Sequence, residues 1–129
     1  MERGRLLVDT SILIDHLRKS QKDRSLFYQL SLRFDYVISV VTESAIGSSR
    51  NNQEFTSALL ANLTTIPFDS DCTQTAVQLY QQLRRTNQII PLPDLFIAAT
   101  AMTHDIPLLT LNRRHFSRIN QLTLYQYEG

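Results

Sequence analysis

Four side chains stand where separate segments of the chain should end, and each carries a carboxylate or an amide. They are Asp9 in RLLVDTSILID, Glu43 in YVISVVTESAIG, Asp94 in IIPLPDLFIAATA and Asn112 in IPLLTLNRRHF. Oxygen donors of this kind suit hard divalent cations such as Mg²⁺ or Mn²⁺. Clustered carboxylates repel one another, so a cation is the natural way to hold them together. Held like this, a cation lowers the pKa of a bound water and stabilises charge on a phosphate, which is the chemistry of phosphodiester hydrolysis.

Whether the four can meet depends on the elements that carry them. Apolar runs at 5–8, 36–39, 64–67, 107–110 and 122–125 predict strands. Between them, Leu26, Leu30 and Phe34 recur at helical spacing, and Phe55, Leu59, Leu60 and Leu63 share one face of a second helix. Ala76, Leu79, Tyr80 and Leu83 mark a third after the cap-like Asp69-Ser70-Asp71, and the Ala-rich segment 95–102 is a fourth. Strands alternating with helices imply an α/β fold with a central, mostly parallel sheet and helices on both faces. Ligands of such sheets bind beyond the carboxyl ends of the strands, where strand order reverses. Asp9, Glu43, Asp94 and Asn112 all fall at strand ends or helix starts, an arrangement that allows them to converge on that edge.

Each residue also has a plainer role. Asp9 suits the N-cap of a helix starting at Thr10. Glu43 reads as a solvated acid at a helix start, although Val40, three residues before it, rules out a capping box. Asp94 follows Pro91 and Pro93, where an acid complements the helix dipole. Asn112 is a good turn residue. Their common address is what favours the functional reading.

The 129 residues allow one domain, 1–129, and 43% hydrophobic residues suffice for a core. A net charge of +1 commits the chain to neither polyanion nor membrane. Among the 13 cations, 11 are Arg, a bias that suits phosphate contacts but that base composition also produces. The lone Cys72 excludes a disulfide within the chain and a Cys-rich zinc site. There is no apolar run of ~18 residues and MERGRLLVDT lacks a signal-peptide core, so a cytoplasmic protein is expected.

Four ordered pieces carry a resemblance: LLVDTSILID, VISVVTES, PDLFIAATAMTHDIPLLTLNRRHFSRI and a final short strand. Together they resemble the PIN-domain ribonucleases, most closely the VapC toxins of prokaryotic toxin–antitoxin pairs, from about Arg5 to the C-terminus. The resemblance implies a three-layer α/β/α sandwich and a Mg²⁺- or Mn²⁺-dependent endoribonuclease, with Asp9, Glu43 and Asp94 as metal ligands. Asn112 matches the family's fourth position, Thr10 the hydroxyl residue after the first acid, and Thr110 the hydroxyl at the fourth strand's end. It further implies an RNA substrate, a VapB-like antitoxin and a homodimer. Two departures concern the site's surroundings: Ser44 stands where many relatives have Leu, and IIPLP replaces a Gly-rich approach to the third acid. Asn112 in place of Asp removes one negative charge, which argues against a tightly held second cation.

Arg113 and Arg114 are the first candidates for phosphate contacts and Arg84 and Arg85 the second, each against a solvated-face role. His16, His104 and His115 lack metal-ligand spacing and read as structural or exposed, with His115 the exception worth a mutation because it lies one turn from Asn112. Asp15 is expected to be solvated or paired, and Cys72 inert. Leu26, Phe27, Leu30 and Phe34 read as core, with a partner-binding face as the alternative. Rival enzymes fail on spacing. Ser11 stands where a haloacid-dehalogenase phosphatase needs its second Asp, the only Lys residues are Lys19 and Lys22, too early for a receiver domain, and DTSILID lacks a dinucleotide-binding glycine turn. Two alternatives stay open: a non-catalytic PIN-like RNA- or protein-binding module, and a free-standing PIN nuclease without an antitoxin. Unneutralised by metal, the three acids would repel phosphate, which counts against the first.

Overall fold

The computed structural model describes residues 3–48 and 53–127. Strands β1 (Gly4–Val8), β2 (Phe34–Ser39), β3 (Thr64–Ile66) and β4 (Leu108–Leu109) form one sheet in the order β3-β2-β1-β4, with every pairing parallel. The crossovers between them are helical. Helices α1 (Thr10–Arg18) and α2 (Leu26–Ser31) join β1 to β2, and α3 (Val40–Gly47) lies after β2 with α4 (Gln53–Ala61) before β3. Helices α5 (Ser70–Arg85) and α6 (Leu92–His104) carry the chain from β3 back to β4, and the short α7 (Arg113–Phe116) follows.

Side-chain alternation along β1 explains the layers. Leu6 and Val8 join a core with Ile12, Leu13, Phe27, Leu30 and Ile38, built on α1 and α2. Leu7 faces the other way, into a core with Leu79, Leu83, Ile97, Ala98 and Phe116 from α5, α6 and α7. A strand covered on both faces must be apolar throughout, as β1 is at its carboxyl half. The fold is therefore the expected three-layer α/β/α sandwich.

Three expectations need correction. Phe34 does not continue the Leu26–Leu30 face, because α2 stops at Ser31 and Phe34 opens β2. Leu63 lies beyond the end of α4, yet it packs on the core of that face. The segment 122–125 forms no ladder but a single parallel bridge, Leu108↔Leu124, since the two-residue β4 has almost no edge to offer. Helix α3 supplies the helix start weighed for Glu43, and α7 was not expected, since at 4 residues it is too short to show periodicity.

Strand order decides where a site can form. The chain steps outward from β1 to β2 to β3, then crosses back to lay β4 on the opposite side of β1. The reversal falls between β1 and β4, and a crevice opens beyond their carboxyl ends.

Candidate metal centre

Asp9 leaves β1 at that reversal. Its extended backbone and short side chain make it the N-cap of α1: Oδ1 accepts from Ile12 N at 3.3 Å and from Ser11 Oγ at 2.6 Å. Oδ2 accepts from Thr110 Oγ1 at 2.5 Å, across from the end of β4. The two readings of Asp9 are thus compatible, and the cap orients the carboxylate. Thr110 Oγ1 in turn accepts from Asn112 N at 2.8 Å, and Ser11 Oγ accepts from Leu111 N at 3.1 Å. Asp9 is buried, and burial pushes its carboxyl pKa up; bonds from Ser11, Thr110 and Ile12 pull it down, and the charge of Asp94 raises it again.

Asp94 occupies the first turn of α6, behind the prolines that start that helix. Its Oδ2 lies 2.8 Å from His115 Nδ1, and the same ring nitrogen lies 2.8 Å from the side-chain amide of Asn112. One ring nitrogen cannot donate to a carboxylate and accept from an amide at once. With Nδ1 protonated the bond runs to Asp94; with Nδ1 bare it accepts from the Asn112 amide. Asn112 precedes the one-turn α7 and His115 lies within it, which places both beside Asp94.

Glu43 is in the first turn of α3, exposed, and its Oε2 accepts a hydrogen bond from Thr65 Oγ1 at the middle of β3. Among the described residues, no three His, Cys, Asp or Glu side chains stand close enough to share one cation. The structure therefore brings Asp9, Asp94, Asn112 and Thr110 to one place and keeps Glu43 engaged elsewhere. Thr10 lies beside them, its hydroxyl 3.1 Å from that of Thr42 at the base of α3. Two buried or half-buried carboxylates with an amide beside them do fit a hydrated divalent cation, which Mg²⁺ takes through one or two carboxylates while keeping waters. The start of α1, α3 and α6 at this edge adds three helix N-termini, whose dipoles favour anions.

Residues 6–122 match the model of the PIN domain family. The chain belongs to the PIN-domain family. It is 32% identical over 130 residues to Ribonuclease VapC1 of Methanocaldococcus jannaschii, covering 98% of this chain and 90% of that protein. Ribonuclease VapC10 of Mycobacterium tuberculosis is 36% identical over 121 residues, covering 91% of this chain and 90% of the other. Among solved structures, a toxin–antitoxin complex from Klebsiella pneumoniae superposes with a TM-score of 0.73 at 25% identity, covering 95% of this chain and 99% of that one.

Within this PIN domain, Arg113 is already engaged. Its guanidinium donates to Gln126 Oε1 at 2.8 Å and lies 4.4 Å from the centre of the Tyr127 ring, so it braces the C-terminal segment. Arg114 is exposed and next to the site. Ser11 at the centre and Thr65 beside Glu43 were not expected, whereas His115 stands out among the histidines as one turn from Asn112. A hydroxyl two residues after a strand-ending Asp is a usable signal for Ser11. The partners of Thr65 and His115 lie 22 and 21 residues away in the chain, a relation that spacing within a motif does not report. His16 proves structural: it is buried, 2.6 Å from Ser25 Oγ and tilted against the Phe27 ring, centres 4.9 Å apart.

Proposed function

We propose that this PIN domain is a metal-dependent endoribonuclease of the VapC kind, using Mg²⁺ or Mn²⁺ to hydrolyse RNA phosphodiester bonds. The observation that carries the reading is the meeting of Asp9 and Asp94 at the reversal of a parallel sheet, where burial already disfavours charge on Asp9. Leaving two acids there is costly unless a cation neutralises them. Relatives named ribonucleases at 32% and 36% identity support the substrate class.

Asp9 and Asp94 would hold the cation, Glu43 is the third candidate ligand once released from Thr65, and Asn112 would orient a water or a ligand. When bound, the cation supplies a more acidic water and charge stabilisation at the phosphate. The protein supplies the rest. Ser11 and Thr110 fix the rotamer of Asp9, His115 fixes that of Asp94, and Thr10 places a hydroxyl on the cleft wall. Arg114 is the side chain we assign to the RNA backbone.

We further assign the chain to the toxin side of a toxin–antitoxin pair, restrained in the cytoplasm by a VapB-like antitoxin and assembled as a homodimer. Likeness to the Klebsiella pneumoniae toxin–antitoxin complex supports the pairing. Val77 and Ile89, about half exposed, leave apolar surface for a protein partner to cover. Among the described residues no helix is long and apolar enough to cross a membrane.

Purified protein incubated with total RNA and Mn²⁺ tests the reading. Cleavage should stop with EDTA and fall by about 100-fold or more in Asp94→Asn. Equal cleavage by wild type and variant would overturn it and bring the binding-module alternative forward.

A further inference from the structure

Helices α3 and α6 stand apart at the carboxyl edge of the sheet, and a cavity of about 780 Å³ lies between them. One end of this crevice is formed by Thr10 and Asp94, so it is continuous with the carboxylate centre. Val41 and Ala45 of α3 line it with Pro93 and Phe96 of α6, and Ser44 and Ser48 lie along the α3 side, the Ser48 hydroxyl donating to Ser44 O at 2.8 Å. Phe96 is held in place by an edge-to-face contact with Phe68, their ring centres 5.1 Å apart.

The chemistry of the walls limits what enters. Among the described residues no Lys or Arg lines the crevice, and Asp94 at its end repels an anion, so these walls do not suit phosphate. Its volume falls within the roughly 300–1,000 Å³ of small-molecule sites. An occupant with flat apolar faces and a polar edge matches apolar walls bordered by hydroxyls. If a phosphodiester sits at Asp9 and Asp94, the next part of the same molecule is a nucleoside, and its base has that shape.

We propose that the α3–α6 crevice receives the unpaired nucleobase adjoining the scissile phosphate, with Phe96 and Pro93 against its face and Ser44 and Ser48 toward its edge. The proposal rests on the ribonuclease reading. It gives the nuclease a selectivity that the acids alone cannot: a base must leave its stack to enter, so duplex RNA is refused and looped or single-stranded RNA accepted.

The test uses the whole protein and a labelled single-stranded RNA whose cleavage position has been mapped. In companion RNAs, the nucleotide on each side of the scissile bond is replaced in turn by an abasic ribose or by 2-aminopurine. One abasic substitution should lower kcat/KM by about tenfold, and the other should matter little. With Ca²⁺ in place of the activating metal, 2-aminopurine at the sensitive position should lose fluorescence on binding as it stacks. Filling the crevice with Ala45→Phe should abolish that quenching and slow cleavage of intact RNA, and its effect should not multiply with the abasic one. Thermal denaturation checks that Ala45→Phe is folded, and the abasic series on wild type stands independently of any variant.

Equal cleavage of both abasic RNAs, or quenching that persists in a folded Ala45→Phe, overturns the subsite while leaving the nuclease intact. So does an Ala45→Phe protein that cuts RNA normally but escapes a co-expressed antitoxin, which would give the crevice to a protein segment. Absence of any metal-dependent cleavage by wild type overturns the ribonuclease reading itself.

Discussion

Thr110 Oγ1 donates to Asp9 Oδ2 at 2.5 Å, joining the carboxyl ends of β4 and β1 at the point where the sheet reverses. The same oxygen accepts from Asn112 N, so one hydroxyl aligns both a candidate ligand and the turn that carries the next polar side chain. Thr110→Val removes donor and acceptor together in a buried place. Stability should fall by about 1–3 kcal/mol. The Asp9 carboxyl should shift further upward, and Mn²⁺ affinity by calorimetry should weaken about 10- to 100-fold. Unchanged Mn²⁺ binding in a folded Thr110→Val protein would remove Thr110 from the centre.

Glu43 and Thr65 offer a second handle. The Thr65 hydroxyl occupies an oxygen that a cation would need. Thr65→Val should release Glu43 and tighten Mn²⁺ binding by about three- to tenfold, the scale of a partly exposed hydrogen bond to a charged group. Weaker binding instead would show that Thr65 orients Glu43 toward the metal rather than competing with it.

Adjacent arginines should behave differently. Arg114→Ala should weaken RNA binding at every sequence and reduce the slope of log affinity against log salt by about 0.7 to 1. Arg113→Ala should act mainly on stability, by about 0.5–1 kcal/mol, through loss of the Tyr127 ring contact and the Gln126 bond. Salt titrations of RNA binding beside thermal melts separate the two, and a matching salt slope for Arg113→Ala would return it to the RNA interface.

His16 predicts a pH dependence. Burial pushes its pKa below the ordinary 6.5, nearby Lys22 pushes the same way, and Asp15 opposes them. A neutral ring also suits its contacts. With the Ser25 hydroxyl donating to Lys22 O, His16 donates through Nδ1 to Ser25 Oγ, and its ring packs on Phe27 and Phe55. Between the folded and unfolded pKa values the unfolded chain binds more protons. Stability from the neutral ring is therefore fully present above 6.5 and is lost as pH falls from there through the lower folded value. Urea midpoints between pH 7.5 and 5 should show this fall, and His16→Gln should flatten it. An identical slope in the variant would assign the effect to other groups.

Much of this was legible along the chain. An apolar β1 ending in Asp9, the acid behind two prolines at Asp94, and the Ala-rich α6 each report on their own element, because burial and capping leave local patterns. Less legible were the short elements. Phe34 fits a helical spacing and a strand start equally well, and the segment around Leu124 has strand composition but meets a β4 of only two residues.

By itself, then, the sequence determined the alternation of strands and helices, the oxygen donors at their ends and the family to which they belong. Tertiary structure alone decided the company each donor keeps. It laid β4 beside β1, so that residues 101 positions apart share a hydrogen bond. It turned Glu43 to Thr65, Asp94 to His115 and Arg113 to Tyr127. Periodicity records which side of an element is buried; which atoms meet there depends on strand order and crossover, and no local pattern encodes those.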